Sequence, residues 1–168
     1  IDAANFEVVI MQLVRLLRNG EVARMSKRQG KAIALTDLID EVGVDATRFF
    51  FNLRSPDSHF DFDLDLAIEQ SNDNPVFYVQ YAHARICSII RQMSEELDQT
   101  TALDYSRLVE KEELNLMEII SNFPDEILTA EAKLDPSRIT RYTIDLAMAF
   151  HSFYNACQVR VSDKALMK

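Results

Sequence analysis

A chain of 168 residues with 48% hydrophobic content and a formal net charge of −9 can bury a real core and is too apolar to be disordered. No run approaches the roughly 18 apolar residues of a membrane helix, and the first residues lack the charged start and small-residue cleavage site of a signal peptide. The acidic balance argues against a generic nucleic-acid binder, whose usual sign is a basic footprint.

The first element is the apolar run from Phe6 to Arg18, followed by Asn19-Gly20. Both turn residues accept the positive φ of a type I′ turn, so the stretch reads as a hairpin with Glu21-Val22-Ala23-Arg24 returning. A two-stranded ribbon is marginal in water. The expectation is therefore that whatever should cover this strand is missing and that residue 1 is a cut through a larger domain.

Next comes Arg24-Met25-Ser26-Lys27-Arg28-Gln29-Gly30-Lys31, a basic loop in an acidic protein. Residues 1–31 hold six Lys and Arg against three Asp and Glu, which leaves −12 on the remainder. Such a loop suits a phosphate: lysine is a mobile point charge, Ser26 can hydrogen-bond, and Gly30 lets the backbone bend close to a ligand. It is not a Walker loop, and a solvated surface turn reads its composition equally well.

Thr36 is the expected cap of a short helix through Glu41 that stops at Gly43, and Asp45 that of a helix over 46–54. Phe49, Phe50 and Leu53 share one face of the second and read as core. Phe60-Asp61-Phe62-Asp63-Leu64-Asp65-Leu66 alternates strictly, which suggests a strand or paired carboxylates for a metal. Both are set aside in favour of Asp61 or Asp63 capping a helix through Ser71, since aspartates without a turn glycine do not make a calcium loop. No metal site is expected.

Asn74-Pro75 opens the longest clear helix, asparagine at the cap and proline at the first helical position. Val76, Val79, Ala82 or His83, Ile86, Ile89 or Ile90, Met93 and Leu97 form its buried stripe. Tyr78, Gln80, Tyr81 and Arg85 lie partly off it. Aromatics beside an arginine can stack on unpaired bases and pair with phosphate, but boundary packing explains helical tyrosines as well.

A polar link over 98–104 precedes helical patterns at 106–122, 124–134 and 136–159, with Pro124, Pro136 and Asp135 as start signals. Glu110 to Glu113 reads as a solvated acidic face. His151, Phe153 and Tyr154 end the last long helix, and Ser162-Asp163 looks like the cap of another. Cys87 and Cys157 lack ligand spacing and read as buried thiols in a reducing compartment, hence a cytoplasmic protein.

The order Arg-Met-Ser-Lys-Arg resembles the Lys-Met-Ser-Lys-Ser loop of class I aminoacyl-tRNA synthetases. Arg24 stands for its first lysine, Arg28 for its last serine and Lys27 for its second lysine. Gly43 to Phe50, Asp61 to Asp65 and above all Asn74-Pro75-Val76-Phe77-Tyr78-Val79-Gln80-Tyr81-Ala82-His83-Ala84-Arg85-Ile86 resemble the arginyl-tRNA synthetases in particular. Phe150 to Cys157 and Ser162 to Leu166 are similar to that family's C-terminal anticodon-binding bundle, the DALR domain.

The resemblance implies a mainly α fold: a helical bundle preceded by a short β-hairpin remnant of a Rossmann-like catalytic domain. Its expected parts are a catalytic remnant over 1–34, a helical connector over 35–72 and the bundle over 73–168, with the final helix missing. It implies an enzyme that activates arginine with ATP and Mg²⁺ and attaches it to tRNA(Arg), in a monomeric parent without membrane contact.

In that reading Lys27 and Ser26 are catalytic, and Arg24, Met25, Ser26, Lys27 and Arg28 form the loop that closes over ATP. Tyr78, Gln80, Tyr81, His83, Arg85, Phe153 and Tyr154 are candidates for tRNA contact. ATP and arginine are held by a part this chain lacks, so the 168 residues alone bind no cofactor and are inert. A free-standing RNA-binding helical module and a protein-docking scaffold are the alternatives.

Overall fold

The structure is a computed structural model that describes residues 6–23, 34–93 and 105–159. The basic loop Arg24–Lys31, the link at 98–104 and Ser162-Asp163 lie outside the described residues.

The hairpin forms where Asn-Gly demands it. Strand β1 (Val14–Arg18) pairs antiparallel with β2 (Glu21–Val22), and Asn19 and Gly20 take φ of 52° and 73°. Residues 6–13 are not strand, and their apolar side chains, Phe6 and Ile10 among them, are exposed.

The strand is not left uncovered, and here the structure corrects the sequence reading. Phe60–Asp63 is a third strand, β3, parallel to β1 in the order β2-β1-β3, with Leu16 opposite Phe62 and Arg15 opposite Asp61. The alternation set aside above is the mark of this strand: Phe60 and Phe62 turn into the core while Asp61 ion-pairs with Arg15 at 2.7 Å. A parallel partner requires a crossover. That connection holds α1 (Leu35–Val42) and α2 (Val44–Phe51).

Gly43 joins those two helices. Its φ of 89° is a left-handed-side conformation that favours glycine, and its amide donates to the Ile39 carbonyl at 2.8 Å. The caps differ from the expected ones. Ala34 caps α1, its amide donating to Asp37 at 3.4 Å, and Thr36 lies inside the helix; Gly43 caps α2, with Asp45 in the first turn. Carboxylates there complement the helix dipole without capping it.

Asp63 is a true cap. Its Oδ1 accepts the amides of Asp65 and Leu66 at 3.0 and 3.1 Å, but the helix it starts, α3 (Leu64–Ile68), ends three residues sooner than expected. The chain leaves α3 because the Asn74 side-chain amide gathers the Ala67 and Glu69 carbonyls, at 3.2 and 2.7 Å. The same side chain's Oδ1 accepts the Val76 amide at 3.0 Å and so caps α4 (Pro75–Met93).

Two cores result. The first gathers Leu38, Phe50, Phe60, Phe62, Leu64 and Val76 from α1, α2, β3, α3 and the start of α4. Phe49 packs against it, as does Phe51. The second forms where α7 (Ser137–Ala156) crosses α4, with Ala82, Ala147 and Phe150 buried and Leu116 of α5 (Lys111–Ser121) alongside. Thus α4 belongs to both: Val76 is in the first core and Ala82 in the second.

Before α5 there is a single 3₁₀ turn at Tyr105–Arg107, where a longer helix is expected. The acidic run is the start of α5, with Glu113 accepting the Glu110 amide at 3.0 Å. Helix α6 (Phe123–Lys133) ends at Leu134, a leucine held at φ 50°. Pro136 is the N-cap of α7, and Asp135 just before it accepts the Ser137 amide at 3.1 Å and hydroxyl at 2.6 Å through Oδ1. Tyr142 ties α7 to α5 by donating to the Ile119 carbonyl at 2.9 Å. No helix among the described residues is long and apolar enough to cross a membrane.

Candidate nucleic-acid interface

Helix geometry sorts the candidates on α4. Residues three or four apart share a face, so Tyr78, Ala82 and Ile89 point at α7, while Tyr81, Arg85, Ser88 and Gln92 follow one another along the adjoining edge. Small residues at Ala82 and Ala147, both about 5% exposed or less, let the two helices approach closely. That approach brings the last turns of α7 against the α4 edge.

An aromatic ladder occupies the contact. Tyr78 meets His151 edge-on at 4.7 Å between centroids, Tyr81 stacks on His151 at 5.7 Å with planes 23° apart, and Phe77 lies parallel to Tyr81 at 6.4 Å. Arg85 extends the ladder. Its guanidinium carbon sits 4.7 Å from the Tyr81 ring centroid and 4.3 Å from that of Tyr154, and its Nη2 donates to the Tyr81 hydroxyl at 2.6 Å. No carboxylate lies in ion-pair range of Arg85 among the described residues. Tyr81 and Tyr154 nevertheless keep 43% and 36% of their surface in solvent.

His151, half-buried, is the brace of this cluster. Burial pushes its pKa below the ordinary histidine value, the Arg85 charge adds to the fall, and a hydrogen bond to the Tyr78 backbone opposes both. Its Nε2 is buried without a partner. The imidazole is therefore neutral at pH 7, which leaves Arg85 as the cation of the ladder. A cation flanked by exposed aromatic faces is the combination that holds a phosphate and stacks an unpaired base.

Of the residues singled out in the sequence, Tyr81, Arg85 and Tyr154 come together here. Tyr78 and Phe153 pack against the second core. Gln80 is exposed on the rim of a cleft of about 480 Å³ between the α1–α2 junction, α3 and α4. His83 points elsewhere, its Nε2 lying 3.5 Å from the Cys87 sulfur. Arg24, Met25, Ser26, Lys27 and Arg28 lie outside the described residues.

Sequence reasoning missed Phe77, Ser88 and Gln92, and read His151 only as a helix-end residue. The spacing Tyr81, Arg85, Ser88, Gln92 was available as a signal, one polar or aromatic position per turn of a single face. Both cysteines are free, and burial together with Glu113, Glu112 and Glu110 raises the Cys157 thiol pKa. No group of three or more metal-ligating side chains occurs among the described residues.

Residues 79–168 match the model of the DALR anticodon binding domain. Over the whole chain the sequence is 57% identical to the arginine–tRNA ligase of Caldanaerobacter subterraneus subsp. tengcongensis and 53% identical to that of Ruminiclostridium cellulolyticum. It spans about 30% of the length of each.

Among solved structures, one from Campylobacter jejuni assigned to the arginyl-tRNA synthetases superposes with a TM-score of 0.81 at 27% identity. It covers 99% of this chain and 36% of that one. The Thermus thermophilus arginyl-tRNA synthetase, at 24% identity and a TM-score of 0.61 over 84% of this chain and 25% of its own, shares the fold.

Proposed function

The chain belongs to the DALR anticodon-binding domain family, and from that premise we propose that it is the tRNA-gripping part of an arginine–tRNA ligase. The parent enzyme activates arginine with ATP and joins it to tRNA(Arg). The observation that carries this reading is the Tyr81–Arg85–Tyr154 cluster, a cation between two exposed rings with no carboxylate in ion-pair range among the described residues, on a chain aligned end to end with arginine–tRNA ligases. The acidic balance of the remainder confines RNA contact to such local faces, because the phosphate backbone is repelled elsewhere.

Under this proposal residues 1–34 end a catalytic domain, 35–72 connect it, and 73–168 grip tRNA. In the loop Arg24-Met25-Ser26-Lys27-Arg28, Lys27 neutralises charge that builds on the triphosphate as pyrophosphate leaves, and Ser26 hydrogen-bonds the nucleotide. ATP enters with magnesium as a substrate, held by parts of the protein outside these residues. The intact enzyme works as a monomer in the cytoplasm.

The test is arginine charging onto tRNA by the full-length protein. Lys27→Ala is expected to lower kcat by a factor of about 10²–10³, as removal of a preorganised charge-stabilising group does, with tRNA affinity unchanged. The 168-residue chain alone is expected to give no arginine-dependent ATP–pyrophosphate exchange. Charging of a different amino acid, or full activity with Lys27→Ala, overturns the reading.

A further inference from the structure

The turn that closes the β1–β2 hairpin carries a chemistry of its own. Asn19 is the chain's one asparagine followed directly by glycine, and with Gly20 it forms an exposed turn in which both residues have positive φ. No hydrogen bond engages the Asn19 carboxamide or the Gly20 amide nitrogen among the described residues. The space around Gly20 is open: a Cβ placed there meets nothing within 4 Å.

A carboxamide beside a free backbone nitrogen undergoes intramolecular acyl transfer. The Gly20 nitrogen attacks Asn19 Cγ, a new C–N bond forms, and the bond from Cγ to the side-chain nitrogen breaks. That nitrogen leaves as ammonia, taking up through solvent the proton that the Gly20 amide gives up. Water then opens the cyclic imide. Cleavage between the imide nitrogen and Cγ gives aspartate; cleavage at the former backbone carbonyl gives isoaspartate, with the chain now running through the side chain.

Ring closure requires the Asn19 backbone to leave its turn geometry, and two features favour that opening. Glycine has no Cβ to block the approach. Strand β2 is two residues long, exposed, and paired only through Leu17–Val22 and Arg18–Glu21, the kind of ladder end that opens at little cost in free energy. We propose that Asn19 is a self-modifying site, deamidating through Gly20 to isoaspartate and aspartate, and that the change disengages the basic loop following the hairpin.

The surroundings are set for a neutral residue. Asp65 Oδ2 accepts the Asn19 main-chain amide at 2.5 Å, so a carboxylate on residue 19 places two like charges at one turn. Isoaspartate does more. It adds an atom to the main chain inside a turn whose length fixes the register. The two strand pairs and the bond from the Ala23 amide to the Leu16 carbonyl, at 2.8 Å, then cannot all be kept. Arg24 follows directly and opens the loop assigned above to ATP, so this second half rests on the ligase reading.

The test incubates full-length protein in mildly alkaline buffer. Peptide mass spectrometry follows conversion of amide to acid at each asparagine, and an isoaspartate-specific methyltransferase counts the rearranged product. Asn19 is expected to convert about tenfold or more faster than Asn52, Asn115 and Asn122, whose following residues carry bulky side chains that hinder the attack. Arginine charging is expected to fall in proportion to isoaspartate, with tRNA affinity unchanged. Asn19→Gly keeps a sequence suited to the turn and removes the carboxamide, so the variant is expected to keep its charging activity through the same incubation.

Conversion of Asn19 no faster than that of the other asparagines overturns the proposal. Conversion without loss of charging, or an equal loss in incubated Asn19→Gly, overturns the effect on the loop. Fresh protein that charges no arginine overturns the ligase reading and the loop's part with it, while the mass at residue 19 still decides the modification.

Discussion

The two cores of this molecule are built to different standards. The first buries Phe62 and Leu64, at 0% and 2% exposure, with the rings of Phe50, Phe51 and Phe60 at 5.3 to 5.9 Å from that of Phe62. The second buries Ala82, Ala147 and Phe150 and leaves Ile86, Ile90, Tyr81 and Tyr154 at its margin in solvent. A closed core fixes positions; an open margin leaves side chains available to a ligand. Helix α4 spans the two, anchored by Val76 and Asn74 at the closed end and presenting Tyr81, Arg85 and Gln92 at the open one. Rigid anchoring of a binding edge lessens the ordering cost of association.

Substitutions sharpen that contrast. Phe62→Ala removes a ring with no solvent exposure and is expected to lower stability by about 3–5 kcal/mol, measured by denaturant unfolding. Tyr81→Leu, at the open margin, is expected to cost about 1 kcal/mol or less in the same assay, since the ring is partly solvated and its hydroxyl bonds another surface group. Equal losses at the two sites would erase the distinction. Asn74→Ala is expected to cost about 1–2 kcal/mol, because the side chain caps α4 and satisfies two carbonyls at once.

The open margin also has a pH signature. The folded-state pKa of His151 lies below the ordinary value of about 6.5, chiefly through burial. As pH falls the unfolded chain therefore takes up a proton first. The contribution of the neutral ring is complete above about pH 6.5 and is lost as pH falls through the folded-state value. His151→Phe is expected to flatten the pH dependence of thermal stability between pH 7 and 5; an unchanged slope contradicts it. The smallest effect is expected at Leu134. Its left-handed backbone suits glycine or asparagine, so Leu134→Gly is expected to stabilise α6 by about 0.5–1 kcal/mol in thermal unfolding.

What could be read from the sequence was local chemistry. Asn19-Gly20 forces its turn and Asn74-Pro75 its helix start without help from the rest of the chain. The strand Phe60–Asp63 shows its period plainly, yet its partner Val14–Arg18 lies 46 residues away, and nothing local tells a strand from a capped helix entry. Thr36 and Asp45 are good caps by residue type, but the backbone at Ala34 and Gly43 decides where the helices begin. Tyr81 and Arg85 are legible as an i, i+4 pair. Their partners His151 and Tyr154 join them only once α7 packs across the small residues of α4, a tertiary event with no local mark.

The central claim is that the open α4–α7 margin grips tRNA through Arg85 and the two tyrosines. Its most direct measurement is the affinity of the full-length protein for tRNA(Arg), with and without Tyr81→Leu and Arg85→Met together, alongside circular dichroism. The account predicts a fall in affinity of about tenfold or more, as lost stacking and phosphate contacts give, with helicity preserved. Undiminished affinity, or a loss of helicity in step with binding, would contradict it.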